Sequence, residues 1–148
     1  MRDLLRRPRR PVDVDEKDYK VVAIEVGSND LCEKYASAFE VAQSIILLAR
    51  RIQQTTGIRR IVVFGILKRQ RTCRWLEVPL REYNRRVDRV NRELHRCLER
   101  PADSLIRFAE HRGDACRLGR DGIHIDRRAM ADYWRSVSAG VRLAVGDW

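Results

Sequence analysis

The sequence predicts an α/β protein in which parallel strands are linked by helices. Two nearly continuous runs of β-prone apolar residues, 21–26 and 61–67, are typical of strands covered on both faces of a sheet. Segments with helical periodicity follow each of them, so the order is strand, helix, strand, helix, strand, helix. Strands joined by crossover helices run parallel, and the helices cover the faces of the sheet.

The first half of the chain supplies two strands and a long helix. The strand 21–26 ends at Gly27, and a broad apolar side predicts a helix over about 34–55. Gly57 follows that helix as a stop. The second strand is 61–67, and we expect a polar, basic loop over 68–79.

The second half repeats the pattern. Apolar residues at spacings of three and four predict a helix that ends before Pro101, and they are Tyr83, Val87, Val90, Leu94, Cys97 and Leu98. The arginines of this segment lie off that stripe and indicate a solvated face: Arg81, Arg85, Arg86, Arg89, Arg92 and Arg96. A shorter strand is expected over 105–109, and a last helix over about 126–144.

Length and composition favour one globular domain. The 148 residues are 44% hydrophobic and 35% charged, which is enough chain for one core and too little for two ordinary domains. Residues 1–18 are rich in Arg and Pro and then acidic, and we interpret them as a flexible lead-in to a domain over 19–148. No signal peptide or apolar run of about 20 residues occurs, so a cytoplasmic protein is expected.

The net charge of +10 raises the possibility of an anionic partner. Two basic clusters stand apart from the helical pattern, at 6–10 and 68–71. A nucleic-acid partner is possible on this basis, although most of the arginines are explained as a solvated helix face. The four cysteines (Cys32, Cys73, Cys97 and Cys116) match no zinc spacing, so we expect free thiols, no metal and no cofactor.

The first chemical motif is Gly27-Ser28-Asn29-Asp30, directly after the first strand. Gly27 permits a tight turn, and Asn29 offers a side-chain N–H donor beyond the sheet edge, where an oxyanion could be held. Because Gly, Asn and Asp are also the commonest turn residues, the motif taken alone favours an ordinary strand-end turn.

The second motif is Asp121-Gly122-Ile123-His124. A carboxylate three residues before a histidine can accept the Nδ1 proton of the ring and leave Nε2 free as a general base. A loop carboxylate and an unrelated surface histidine remain the alternative. His95, on a helix edge, and His111, at a strand end, have no patterned partner and are given no function.

With both motifs in this order, the chain resembles the SGNH (GDSL-type) hydrolase family over roughly residues 20–145. That family has a G-x-N-D block after its third strand, matched by Gly27, Asn29 and Asp30, and a D-x-x-H block before its last helix, matched by Asp121 and His124. The resemblance implies a three-layer α/β/α, flavodoxin-like parallel sheet. It also implies that Asn29 is an oxyanion-hole donor, His124 the general base and Asp121 the residue that orients it, with Gly27 and Asp30 structural.

The family's nucleophile, a serine in a G-D-S block on the first strand, has no counterpart in this sequence. Ser28 holds the variable position of its motif, and no other serine follows a strand in a way that would present Oγ to His124. The nucleophile is therefore unknown, and the chain matches only the later part of the family's fold. A strand as apolar as 21–26 would then be an open edge, which predicts a sticky or poorly stable chain.

Two functions follow from these observations. The first is an SGNH/GDSL-type esterase domain, truncated or degenerate and inactive as this chain, whose substrate in a complete form would be a small-molecule ester. The alternative is a non-catalytic interaction module whose arginine-rich surface binds an anionic partner such as nucleic acid. A membrane partner is not expected, and the oligomeric state is left open.

Overall fold

The computed structural model describes residues 21–99 and 105–145, and it has the α/β architecture that the sequence predicts. Its three strands, β1 (Val21–Ile24), β2 (Arg60–Phe64) and β3 (Ile106–Ala109), form a parallel sheet in the order β1-β2-β3. Val22 pairs with Ile61, and Val62 pairs with Arg107. The predicted lead-in over 1–18 lies outside the described residues.

Helices cover both faces of this sheet. The larger core lies between one face and two helices, α1 (Ala38–Thr56) and α2 (Leu80–Leu98). The third helix, α3 (Met130–Val145), packs on the opposite face against Val62 and Phe64. The domain is therefore three-layered, and none of the described helices is both long and apolar enough to cross a membrane.

The first helix begins later than the predicted position 34. Asp30–Cys32 form a turn of 3-10 helix, and α1 starts only at Ala38 because Ser37 caps it. The Ser37 hydroxyl accepts a hydrogen bond from the Glu40 backbone N–H at 3.3 Å, which satisfies one of the orphan donors at a helix start. The predicted stop at Gly57 is confirmed, since this residue takes a left-handed conformation after the last turn.

The second strand is shorter than the predicted 61–67. It ends at Phe64, and the Asn91 side chain of α2 then takes the place of a neighbouring strand. Asn91 Oδ1 accepts from the Ile66 backbone N–H at 2.8 Å, and its Nδ2 donates to the Ile66 carbonyl at 2.9 Å. These bonds divert the chain from the sheet into the loop that precedes α2.

One arginine of α2 does not belong to a solvated face, contrary to the sequence interpretation. Arg86 is buried, and its guanidinium donates to the backbone carbonyls of Leu31, Glu33 and Lys34. These three carbonyls lie within four residues of chain at the end of the short helix after β1, and they need donors. The hydrogen bonds of Arg86 therefore join α2 to the segment that carries the first motif.

Candidate active site

Both motifs lie in loops at the edge of the sheet where the strands end, which we call the carboxyl edge. Residues 25–37 follow β1, residues 65–79 follow β2, and residues 110–126 follow β3. The carboxyl ends of parallel strands meet at one edge, which is where α/β proteins place their sites. The middle loop contacts both of the others through Arg69 and Gln70.

The first motif turns sharply at Gly27. This residue has φ of 101°, and an added Cβ would lie 3.0 Å from side-chain atoms of Ile45 and Ile66. A side chain there would therefore be strained by both backbone and packing. Asp30 opens the short 3-10 helix that follows, so Gly27 and Asp30 lie at the two ends of the turn that leaves β1.

Asn29 is oriented by a buried arginine. Arg69 Nη2 lies 3.4 Å from Asn29 Oδ1. Because a guanidinium carries only donors, the amide oxygen of Asn29 has to face it, and the Nδ2 donors then point away from Arg69. Asn29 itself is exposed, so its N–H groups are available to a ligand at the carboxyl edge.

The second motif forms a hydrogen-bonded acid–histidine pair. Asp121 Oδ2 lies 2.6 Å from His124 Nδ1, and a carboxylate acceptor there fixes the ring proton on Nδ1. The other carboxylate oxygen accepts from the backbone N–H groups of Ile123 and His124 at 2.9 and 3.0 Å. The His124 contact and these backbone bonds lower the pKa of Asp121 to about 2, so this carboxylate is ionised at neutral pH.

The loop that carries the pair is held at its base and at its tip. Leu118 and Ile125 form an antiparallel bridge, and the Gly119 N–H donates to the His124 carbonyl at 2.8 Å. At the tip, the Gln70 backbone N–H donates to the Gly122 carbonyl at 2.8 Å. The acid–histidine pair is therefore positioned against the loop that also carries Arg69.

The imidazole of this pair faces solvent. The His124 side chain is 82% exposed, and its Nε2 makes no hydrogen bond within the described part of the chain. A neutral imidazole with its proton on Nδ1 presents a lone pair at Nε2. The pair can therefore accept a proton from a hydroxyl or water brought to it.

No serine hydroxyl forms a hydrogen bond with the His124 ring among the described residues. The Ser28 hydroxyl is already engaged, 2.9 Å from the Tyr83 hydroxyl and 3.2 Å from Arg69 Nη2. The structure brings Asp121 and His124 together and sets Asn29 on the same edge, but it gives them no serine as a nucleophile.

Arg69 is the residue of this site that the sequence interpretation misplaced. It was assigned to an exposed basic cluster, whereas it is only 4% exposed and stacks on the Tyr83 ring at 4.6 Å. Asn84 on α2 accepts from its backbone N–H and donates to its carbonyl, both at 2.9 Å. The sequence offers little to find this, because a buried arginine and a surface arginine look alike in a polar loop.

A second polar cluster, around His111, was also missed. The side chain of His111 is fully buried and stacks on Phe64, with ring centroids 4.6 Å apart. Its Nδ1 lies 2.9 Å from Ser136 Oγ and its Nε2 3.4 Å from Glu25 Oε2, which also accepts from the Tyr133 hydroxyl. Ser136 lies inside α3, so the backbone N–H groups beside it are used by the helix and cannot hold an oxyanion.

Comparisons with known proteins add no family. No model of a known protein family matches the chain, and no curated protein matches it significantly. Among the described residues there is also no group of three or more His, Cys, Asp or Glu that could hold a metal ion. The function therefore has to be argued from the site itself.

Proposed function

We propose that this chain carries the base and oxyanion half of an SGNH-type esterase site and is inactive in acyl-serine chemistry by itself. The observation that carries the proposal is the 2.6 Å contact between Asp121 and His124, on the same sheet edge as Asn29. The two motifs and the three-layer parallel sheet support the same assignment. The substrate class is a small-molecule ester.

The residues would act as follows once a nucleophilic hydroxyl stands near His124. Nε2 takes the hydroxyl proton as the oxygen attacks the ester carbonyl, and Asp121 stabilises the imidazolium that forms. The carbonyl oxygen becomes an oxyanion and accepts a hydrogen bond from Nδ2 of Asn29. The imidazolium then gives its proton to the departing alcohol, and a water repeats the sequence on the acyl-enzyme.

A groove beside the first motif provides room for an acyl group. It has a volume of about 430 Å³, and it runs from Val26 and Gly27 along α1. Apolar side chains of α1 form one wall, at Val41, Ile45 and Leu48. Gly27 and Asp30 of the first motif line this groove, which is therefore the nearest apolar recess to Asn29 in the motif.

Fluorophosphonate labelling tests whether the chain has its own nucleophile. We expect no labelled serine in the purified chain, and hydrolysis of p-nitrophenyl acetate no faster than in His124→Ala. His95→Ala is the matched control, because His95 is an exposed histidine on α2 that pairs with Glu99 instead. A serine labelled in the wild type and not in His124→Ala would show that this chain contains a nucleophile, and the proposed inactivity would be wrong.

A chimera tests the catalytic half directly. The G-D-S-bearing first segment of an active SGNH esterase is placed before residue 19, and a cooperative unfolding transition establishes that the chimera folds. We expect esterase activity that falls by roughly 10³-fold or more in His124→Ala and about 10²-fold in Asn29→Ala. A folded chimera whose activity is insensitive to both substitutions contradicts the proposal.

The alternative, an anion-binding module, loses part of its basis at residues 68–71. Arg69 is buried, and the Lys68 amine lies 2.8 Å from Asp88 Oδ1, so this cluster is not a continuous positive surface. Binding of labelled DNA or RNA at several salt concentrations tests what remains of this alternative, since phosphate contacts release counterions. Salt-sensitive binding that weakens in Arg71→Ala would favour it.

A further inference from the structure

The charge of Arg69 is buried without a carboxylate. Its side chain lies within the site and is 4% exposed, and no ion pair to it forms among the described residues. Nη2 reaches only the neutral oxygens of Ser28 and Asn29, and Nε has no hydrogen-bond partner within the described part of the chain. Burying a cation in such surroundings favours the formation of an anion beside it.

The nearest groups that can become anionic are two thiols. Arg69 Nη1 lies 3.1 Å from Cys32 Sγ and 3.2 Å from Cys73 Sγ. The distance between the two sulfur atoms therefore cannot exceed the sum of these two contacts, although Cys73 lies 41 positions after Cys32 in the sequence. Tyr83, the other ionisable neighbour, has a phenol whose pKa is ordinarily above that of a thiol and is raised further by burial.

We propose that Cys32 and Cys73 form a redox-active thiol pair, activated by Arg69, which a peroxide converts to a disulfide. The proposal rests on the convergence of both sulfurs on one buried guanidinium nitrogen. It is independent of the ester chemistry, because neither His124 nor a serine takes part.

The two thiols differ in exposure, and this sets their order of reaction. Cys32 is buried, and its burial raises the pKa of its thiol despite the opposing effect of Arg69. Cys73 is half-buried in the 65–79 loop and is the sulfur that a small oxidant reaches first. Cys73 is therefore the attacking thiolate, and Cys32 the resolving thiol.

The reaction consumes one hydrogen peroxide for each disulfide. The Cys73 thiolate attacks one peroxide oxygen, so an S–O bond forms, the O–O bond breaks, and the departing hydroxide is protonated to water. The sulfur of Cys32 then attacks the sulfenic sulfur, the S–S bond forms, and the S–O bond breaks to release a second water that takes the thiol proton. The two thiols lose two electrons, and the peroxide gains them.

The same geometry argues against a metal at these sulfurs. A cation bound to Cys32 and Cys73 would lie next to the fixed positive charge of Arg69 and would be repelled by it. The site therefore suits chemistry in which negative charge develops on sulfur.

The experiment is peroxide titration of the purified chain, followed by alkylation of the remaining thiols and peptide mass mapping. The matched control is a Cys97→Ser/Cys116→Ser double variant, which retains only the proposed pair. We expect this variant to form one intramolecular Cys32–Cys73 disulfide per peroxide consumed. Cys32→Ser should instead accumulate sulfenic acid at Cys73, which a dimedone probe traps.

Substitution of Arg69 tests whether its positive charge speeds disulfide formation, or whether the closeness of the two sulfur atoms is sufficient. Arg69→Met should slow disulfide formation at neutral pH by roughly threefold or more, because both sulfurs lose the guanidinium, 3.1 and 3.2 Å away, that stabilises negative charge developing on them. Arg69→Lys, which keeps the charge, should stay closer to the wild type. If the Arg69 variants do not fold, the peroxide titration of the Cys97→Ser/Cys116→Ser variant alone tests whether Cys32 and Cys73 form the disulfide.

Two outcomes would overturn the proposal. One is a double variant in which Cys32 and Cys73 are oxidised separately to sulfinic acids or linked only between molecules. The other is a folded Arg69→Met variant that forms the disulfide as fast as the wild type. Neither outcome depends on esterase activity, so the two proposals can fail separately.

Discussion

At the scale of single residues, Gly122 shows why the acid–histidine loop has its shape. It has φ of 67°, and an added Cβ would lie 2.8 Å from the Arg71 backbone nitrogen. Because backbone atoms cannot move aside as a flexible side chain can, any larger residue at this position destabilises the contact between the two loops. The glycine inside the D-x-x-H motif therefore serves the close approach of two loops as well as the turn.

Gly122→Ala should accordingly destabilise the chain by about 2–4 kcal/mol, from backbone strain plus the clash with the 65–79 loop. Gly113→Ala is the matched control: Gly113 also has positive φ, 58°, but nothing lies within 4 Å of its added Cβ. We expect only the strain cost of about 1 kcal/mol there. Urea unfolding measures both, and equal losses would mean that the two loops are not in contact.

A second prediction at this scale concerns Glu25 and pH. Burial raises the pKa of its carboxyl, but the hydrogen bonds from His111 and Tyr133 outweigh this and hold the pKa below its ordinary value. A pKa lowered by folding gives stability that is fully present above the ordinary carboxyl pKa. That stability is lost as the pH falls through the folded value.

Glu25→Gln should therefore be less stable than the wild type at pH 7, and the difference should shrink as the pH falls toward 3. Urea unfolding at a series of pH values measures it. Glu33→Gln is the control, because the Glu33 side chain is exposed and makes no hydrogen bond or ion pair within the described residues. A difference that grows in acid would mean that Glu25 is not the ionised partner of His111.

At the scale of elements, α2 shapes the loop at the centre of the site. Two asparagines seven residues apart, Asn84 and Asn91, each bond both the N–H and the carbonyl of one loop residue, Arg69 and Ile66 respectively. Positions seven apart lie on one face of a helix. This face of α2 therefore dictates the path of the 65–79 loop and, through Arg69, the orientation of Asn29.

Asn84→Asp should cost about 1–3 kcal/mol of stability, because the carboxylate cannot donate to the Arg69 carbonyl that it faces. Asp88→Ala is the control on the same helix, since among the described residues Asp88 makes only an exposed ion pair with Lys68; that loss should be within about 1 kcal/mol. Thermal or urea unfolding of the two variants measures both losses of stability. Similar small effects would show that the asparagine does not hold the loop.

Elements were predictable from the sequence where a single periodic pattern determines them. The stripe of α2 was placed correctly, the strands β1 and β2 were located although both end two or three residues before their predicted ends, and the α/β class followed from the order of elements. The start of α1 was wrong by four residues because the cap at Ser37 decides it, while the apolar pattern extends beyond it. Local chemistry of this kind has to be considered beside periodicity.

The positions of individual polar side chains were less predictable. Arg69 and Arg86 were both expected at the surface, and both are buried, because each meets partners far away in the sequence. Asp121 and His124 are only three positions apart, so their contact is local and could be predicted from the sequence. The cluster of Glu25, His111 and Ser136 joins three separate elements and gave no local pattern.

At the scale of the whole molecule, both outer strands of the sheet, β1 and β3, pair on one side only within the described part of the chain, and β1 is the more exposed in its middle. β1 pairs with β2 on one side only, and Ala23 in its middle is exposed. Large apolar side chains near this edge are also exposed, including Val26 at 44% and Leu48 at 40%. An apolar strand with unpaired backbone groups is a template for pairing with another chain.

We therefore expect the purified chain to self-associate in a concentration-dependent way, measurable by sedimentation velocity. Ala23→Lys should shift it toward the monomer, because a charge on an edge strand opposes pairing with a second strand. Ala139→Lys is the matched control, since Ala139 is an exposed alanine that lies on the helix α3 and not on a strand. If the wild type stays monomeric at high concentration, the edge is covered in solution, and the prediction is wrong. If both lysine variants dissociate the assembly equally, net charge and not strand pairing controls it.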